Sequence, residues 1–132
     1  MPDTARGHAV SALLTVAAVA AACSVRDAGA AEAATALFAA VQRGDGRAAC
    51  AALSPKAVSS VETGGSRCPE RILTLGLRGG PIHDVRVWGD RARLRAGEDT
   101  VFLVRLSGLG WKVAAAGCRP RPGRPYDCDV EA

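Results

Sequence analysis

The cysteine thiols are the most reactive side chains in this sequence. Cys23 follows a run of alanines, and the other four cysteines lie at positions 50, 68, 118 and 128. An even set in a small exported domain predicts disulfides. Three pairings are possible, and we favour Cys50–Cys68 with Cys118–Cys128 because both close short loops. A zinc site is the alternative, but the sequence has no C-x-x-C pair and its second histidine, at 83, is far from every cysteine.

The first 22 residues have the pattern of a signal peptide. An uncharged run from Ala9 to Ala22 is long enough for a signal sequence and short for a permanent membrane span. It ends in Ala20-Ala-Ala-Cys23, which resembles the lipobox of bacterial lipoproteins. The resemblance implies transfer of a diacylglycerol to Cys23, with palmitate as the expected acyl chain, and cleavage before this residue. We therefore expect Cys23 to anchor the protein at the extracytoplasmic face of the cell membrane, with residues 23–29 as a short tether. Ordinary secretion or an uncleaved anchor is the alternative.

No group of residues predicts a catalytic centre. His83 neighbours Asp84, which is a pair able to do acid–base chemistry. On a regular strand these side chains point to opposite faces, so we interpret both as surface residues. The serines lack the G-x-S-x-G pattern of a nucleophile, and the paired glycines at 64–65 and 79–80 lack the Lys-Ser/Thr sequel of a phosphate loop. We predict no catalytic residue, no metal and no cofactor.

Two side chains are candidates for ligand binding. Trp88 is two positions after Arg86 and so shares the polar face of a predicted strand with it. There it could form a cation–π surface with Arg93 or Arg95 across a hairpin. A tryptophan covered by the C-terminal loop is the alternative. Arg105 follows Val101 and Leu103 at every second position and so shares their predicted inward face. It is expected at the rim of any apolar cavity, where its guanidinium could hold an anion.

Composition and charge limit the partners. The net charge of +4 is modest and suits a surface beside anionic lipid or wall polymer. Nucleic acid is excluded as a partner, because no basic stretch alternates with aromatics and no helix-turn-helix, zinc-finger or RNP pattern occurs. Aromatic residues make up only 4% of the chain, so its core is shallow and disulfides are needed to support it. The length allows one domain, which we place at residues 30–132.

Helical periodicity occupies the first half of this domain. Apolar residues recur at helical spacing from Ala30 to Arg43, with Leu37, Phe38 and Val41 toward the core. Capping and proline signals predict three shorter helices, at 47–53, 56–61 and 70–77.

After Pro81 the apolar period changes from helical to alternating. The alternation predicts a hairpin with one basic face and two further strands, at 85–88, 92–96, 101–106 and 111–115. Residues 101–106 are apolar on both faces, which is typical of a central strand. The tail from Cys118 to Cys128 holds three prolines and is expected to form a loop against the sheet. The predicted class is α+β, with helices followed by a four-stranded antiparallel sheet.

Several short motifs occur in a distinctive order. They are Val41-Gln-Arg-Gly-Asp45, Leu53-Ser-Pro55 after Cys50, the hairpin from Val85 to Ala92, and Gly110-Trp-Lys-Val113, with a closing Pro125-Tyr-Asp-Cys128. The set resembles small exported lipoproteins of high-GC Gram-positive bacteria that have an NTF2-like or cystatin-like cone domain. The resemblance implies helices packed on a curved antiparallel sheet, with a disulfide-bonded C-terminal loop.

Such cones serve as enzymes, binding modules and assembly domains, so the fold does not select an activity. The predicted inward positions of the helix and hairpin hold no acid or base. We expect a non-catalytic envelope lipoprotein with a binding or structural role toward a protein, polymer or lipid. A small cone enzyme of the isomerase, dehydratase or cyclase type is the alternative, as is a small-ligand-binding module.

Overall fold

The helices of this protein cover one face of an antiparallel sheet. The computed structural model describes the backbone of residues 14–132 and the side chains from Ala28 onward, except that of Arg124. Residues 1–13 of the predicted signal peptide and the thiol of Cys23 lie outside this description. Within the described part, no helix combines the length and the apolar character needed to cross a membrane.

Four helices precede the sheet. They are α1 (Leu14–Gln42), α2 (Gly46–Ala51), α3 (Pro55–Val61) and α4 (Cys68–Arg71), and a 3₁₀ turn (Ile72–Thr74) follows α4. The first helix was predicted to begin at residue 30, but α1 includes residues 23–29, which were expected to form a tether. Alanine, the strongest helix former, is frequent before and after this segment, which favours continuation of the helix. The single helix predicted at 70–77 is wrong. The α-helix ends at Arg71, and after the 3₁₀ turn Gly76 takes a positive φ of 73°, which ends the helical segment.

The short helices are fixed by side-chain caps and a disulfide. Asp45 accepts a hydrogen bond of 3.1 Å from the Ala48 amide at the start of α2, which contributes about 1 kcal/mol. The Cys50–Cys68 disulfide joins α2 to α4. At Gly46 a side chain would overlap the Pro69 carbonyl, so only glycine permits this approach of the two helices.

The sheet has six strands where four were predicted. They are β1 (Ile82–Trp88), β2 (Arg91–Ala96), β3 (Asp99–Leu106), β4 (Gly110–Arg121), β5 (Arg124–Asp127) and β6 (Val130–Glu131). The order is β1-β2-β3-β4-β5, and β6 pairs with β4 beside β5. All the strand pairs are antiparallel, so the α+β class is confirmed while the strand number is corrected.

The two additional strands lie in the proline-containing tail. This tail was expected to be a loop, but β4 continues through it and turns into β5. The β4–β5 ladder pairs Arg119 with Asp127 and Arg121 with Arg124, so none of the three prolines occupies a paired position. Prolines are tolerated in this way on an edge strand. The Cys118–Cys128 disulfide links β4 to the segment after β5, with the pairing that we favoured.

An apolar core fills the space between α1 and the sheet. The helix contributes its predicted stripe, and the sheet contributes inward residues of β2, β3 and β4. The side chains of Leu37, Leu94, Val101, Leu103 and Val113 are 0–1% exposed. The polar residues buried in the described part are Ser54 and Thr100. The helix-facing side of the sheet is therefore a packed, apolar interface.

Candidate binding site

An apolar groove of about 600 Å³ lies on the outward face of the sheet, opposite α1. Its floor is formed by Phe102, Val104 and Leu106 of β3, together with Ala114 of β4. The β3 residues alternate with the inward residues of the core, so they face away from α1. The strand β3, which was predicted to be apolar on both faces, thus contributes one face to the core and the other to the groove.

The C-terminal hairpin forms one wall of the groove. The Tyr126 ring packs edge-to-face on Phe102 with 5.0 Å between ring centroids and 74° between planes. Such a contact contributes about 0.5–1.5 kcal/mol beyond burial. The hairpin is also held by the Cys118–Cys128 disulfide and by an exposed ion pair of 3.0 Å between Arg121 and Asp127. Because exposed ion pairs contribute little, the disulfide and the short β4–β5 ladder are the main constraints on this wall.

The opposite wall is the beginning of α3. The residues just before α3 pair with β4 at Val113, on the edge opposite β3. The Ser54 amide donates to the Val113 carbonyl at 2.8 Å, and the Val113 amide donates to the Ala52 carbonyl at 2.9 Å. The Ser54 hydroxyl also caps α3 by accepting from the Ala57 amide at 3.2 Å. These bonds explain why Ser54 is buried, and they bring Lys56 to the groove.

Ionisable side chains lie at the rim of the groove. Lys56 and Arg91 supply positive charge, and Glu131 supplies negative charge. Arg91 lies 3.7 Å from Asp90, but both side chains are more than 60% exposed, so this pair leaves Arg91 open to a ligand anion. In the described part of the chain, no hydrogen bond joins Lys56, Tyr126 and Glu131. The arrangement suits binding of an apolar body with a charged head.

A row of arginines continues the outward face beyond the groove. Cross-strand pairing places Arg86 opposite Arg93, and Arg93 opposite Phe102 on the next strand. Asp84 lies between the two arginines, 3.1 Å from Arg86 and 3.8 Å from Arg93. The hydrogen bond from Arg86, supported by both positive charges, lowers the pKa of Asp84. The carboxylate therefore stays ionised and separates two arginines that would otherwise repel.

His83 and Asp84 contact different partners. A regular strand would place these two side chains on opposite faces of the sheet. Asp84 instead has a φ of 50°, and the register slips by one residue there. Such a slip is a β-bulge, which re-aims side chains. Nε2 of His83 lies 3.0 Å from the Gly97 carbonyl, while Asp84 contacts the arginines. Both side chains are exposed and have structural partners.

Trp88 is an exposed side chain outside the groove. It is 54% exposed, so the C-terminal hairpin does not cover it. The register places it opposite Arg91, where the prediction had Arg93 or Arg95, because the two-residue turn after Trp88 makes the flanking residues partners. Trp111, in contrast, packs against the core.

Arg105 lies at another site than the rim of the groove. It pairs with Trp111 at the end of β3 and is exposed beyond the core. With Gly89, Asp90 and the turn after β3 it lines a separate hollow of about 570 Å³. The structure therefore does not bring Arg105 together with the apolar groove, whose cations are Lys56 and Arg91.

Sequence reasoning missed Tyr126 and Lys56 as groove residues. Tyr126 belongs to the tail that was expected to be a loop, and Lys56 reaches the groove only through pairing between residues distant in sequence. The apolar outward positions of β3 were a signal that something covers or binds this face.

Neither a metal site nor a related protein was found for the described residues. Among the residues that the structure describes, no three His, Cys, Asp or Glu side chains cluster to hold a metal ion. Comparisons with models of protein families, with curated proteins and with solved structures gave no match.

Proposed function

We propose that this protein is an exported, lipid-anchored, non-catalytic domain that binds a small amphiphile in the groove on the outward face of its sheet. The carrying observation is the groove itself, which has an apolar floor that includes Phe102, a wall that includes Tyr126, and Lys56 and Arg91 at its rim. Its volume lies within the usual range for small-ligand sites, about 300–1,000 Å³. The apolar floor suits a hydrocarbon or ring body, and the two cations suit an anionic head.

Export and anchoring are supported by the N-terminal motif and by the disulfides. The alanines before Cys23 supply the small residues that lipoprotein processing requires. Two disulfides in a domain of this size are typical of an oxidising compartment outside the cytosol.

An NTF2-like or cystatin-like cone is our proposal for the fold family. It is supported by a long helix on an antiparallel sheet and by the register shifts between β3 and β4 around Phe102, since bulges bend strands. Cone enzymes hold their acids or bases between helix and sheet. Here that space is occupied by apolar side chains, which favours a binding role over the enzyme alternative.

The binding proposal is tested with 1-anilinonaphthalene-8-sulfonate, a probe that has an apolar ring body and an anionic sulfonate. We expect saturable fluorescence enhancement with one site per protein. The variant Arg91→Ala should weaken binding about tenfold, the effect of losing one charge-assisted contact. The matched control is Arg95→Ala, an arginine of the same strand and face that does not line the groove. Equal affinities for the two variants would contradict this site.

The non-catalytic role has its own measurement. An amphiphile recovered from the protein after prolonged incubation should have an unchanged mass. A product that forms with wild-type protein and not with the groove variant Tyr126→Ala would establish the enzyme alternative instead.

The anchor is tested by Cys23→Ala. We expect wild-type protein in the detergent phase of a phase separation, with a mass that includes the acyl groups. The variant should keep its signal peptide and lack the acyl mass. Cys50→Ala with Cys68→Ala is the control for loss of other cysteines, and it should be acylated normally. Acyl mass in the Cys23 variant would refute the assignment.

A further inference from the structure

Two turns of the sheet lie together at one end of the domain. The amide of Arg105 in β3 donates to the carbonyl of Asp90, in the turn between β1 and β2, at 2.7 Å. Residues of that turn and of the turn between β3 and β4 line one common hollow. We call this region, residues 88–91 and 105–110, the turn end.

The helix α1, which continues from Cys23 into the domain, contacts the sheet at the same end. A Cβ atom at Gly29 would lie 2.9 Å from Cδ1 of Trp111, so α1 contacts the start of β4 beside the turn end. Phe38, further along α1, packs against Gly79 at the opposite end of the sheet. The helix therefore runs away from the turn end as the chain proceeds. Cys23 precedes Gly29 by six positions in the sequence, so it is close along the chain to the part of α1 that contacts β4 beside the turn end.

The turn end also carries the most exposed large apolar side chains among those described. Trp88 and Leu109 are each 54% exposed, and one lies on each turn. Arg91 and Arg105 lie on the strands next to these turns and are exposed as well. Among the described side chains, the acidic neighbour Asp90 forms one ion pair, a weak and exposed contact with Arg91. Tryptophan with leucine and arginine is the set of side chains that partitions into a lipid interface and pairs with its phosphates.

We propose that the turn end is a membrane-seating surface for anionic phospholipid. Trp88 and Leu109 enter the interfacial region, and Arg91 and Arg105 contact lipid phosphates. Seating of this end is supported by the direction of α1 from Gly29 to Phe38, because an acyl anchor at Cys23 is only six positions before the contact of Gly29 with Trp111. The inference rests on the proposed function for the anchor, while its chemistry rests on the exposed side chains. The domain is then held in one orientation, with the basic hairpin close to the membrane.

The test measures the fluorescence of Trp88 in the acylated protein, reconstituted in phosphatidylcholine bilayers with or without phosphatidylglycerol. Trp111→Phe leaves Trp88 as the single tryptophan. We expect a blue shift, protection from iodide, and quenching by lipids brominated near the headgroup, all stronger with phosphatidylglycerol and weakened by salt. If Trp111→Phe fails to fold, the difference between wild type and Trp88→Phe gives the same readout.

Charge variants supply the matched control. Arg91→Ala with Arg105→Ala should reduce the blue shift in phosphatidylglycerol bilayers to its value in phosphatidylcholine alone, whereas Arg78→Ala with Arg95→Ala should retain the full shift. Arg78 and Arg95 lie near the turn at Gly97, at the opposite end of the sheet. Equal effects of the two pairs would overturn the proposal.

The remaining outcomes separate this inference from the anchor. Trp88 that stays accessible to iodide in acylated, bilayer-bound protein overturns the seating surface and leaves the anchor intact. If Cys23 proves not to be acylated, the same spectra are taken with the chain added to phosphatidylglycerol vesicles, and an unshifted emission again overturns the proposal. Salt-sensitive binding to a soluble polyglycerolphosphate, without any lipid-dependent shift of Trp88, would assign the surface to wall polymer instead.

Discussion

Removing either disulfide should cost similar stability, but only the C-terminal one should abolish ligand binding. The Cys118–Cys128 bridge spans 10 residues and Cys50–Cys68 spans 18. Loop-closure entropy then gives about 2.7 and 3.2 kcal/mol, respectively. A domain of this size survives either loss, because its total stability is about 5–15 kcal/mol. We expect melting temperatures to fall by about 10–20 °C in both double alanine variants, as followed by circular dichroism.

Binding separates the two variants because the bridges hold different parts of the molecule. Without the C-terminal bridge, the Tyr126 wall keeps the short β4–β5 ladder, an edge-to-face contact of about 0.5–1.5 kcal/mol and exposed ion pairs of about 0–1 kcal/mol. The side-chain contacts are smaller than the chain entropy of about 2.7 kcal/mol that the bridge removed, and a two-stranded hairpin is only marginally stable by itself. We therefore expect the sulfonate probe to lose its saturable binding in Cys118→Ala with Cys128→Ala and to keep it in Cys50→Ala with Cys68→Ala. Retained binding in the first variant, or equal loss in both, would refute this reasoning.

Three further predictions concern the core, the helix contact and the arginine row. Leu103→Ala should destabilise the domain by about 2–5 kcal/mol in a urea titration, because the side chain is 1% exposed, while Leu109→Ala should change stability by less than about 0.5 kcal/mol. Gly46→Ala should lower stability by about 1–3 kcal/mol, since its methyl group meets backbone of α4, and an unchanged urea midpoint would argue against that contact. Arg86→Ala should raise the pKa of Asp84 toward its ordinary value in an NMR titration. Because the pKa of Asp84 is lowered in the folded protein, its small stabilising effect is present above the unfolded-state pKa of about 4 and is lost as pH falls below it.

Local signals in the sequence predicted much of the fold. The stripe of Leu37 and Phe38 predicted the buried face of α1, and the two-residue turn after Trp88 predicted the first hairpin. Both features depend on residues close in sequence, whose periodicity and turn chemistry act locally. The same kind of reasoning failed in the tail, where prolines indicated a loop. Whether a proline is tolerated depends on which neighbour its strand pairs with, and that is a property of the whole sheet.

The candidate site was decided at a longer range. The sequence alone determined the cysteine set, the apolar character of both faces of β3 and the absence of acids or bases from the predicted stripe, because these depend on residue type and period. Only the tertiary structure decided that Lys56, Phe102 and Tyr126 line one groove, since they come from segments joined by strand pairing and a disulfide. It also separated Arg105 from that groove by placing it at the turn end. The physical reason is that period along a strand determines which face a side chain occupies, whereas sheet register determines the neighbours it meets there.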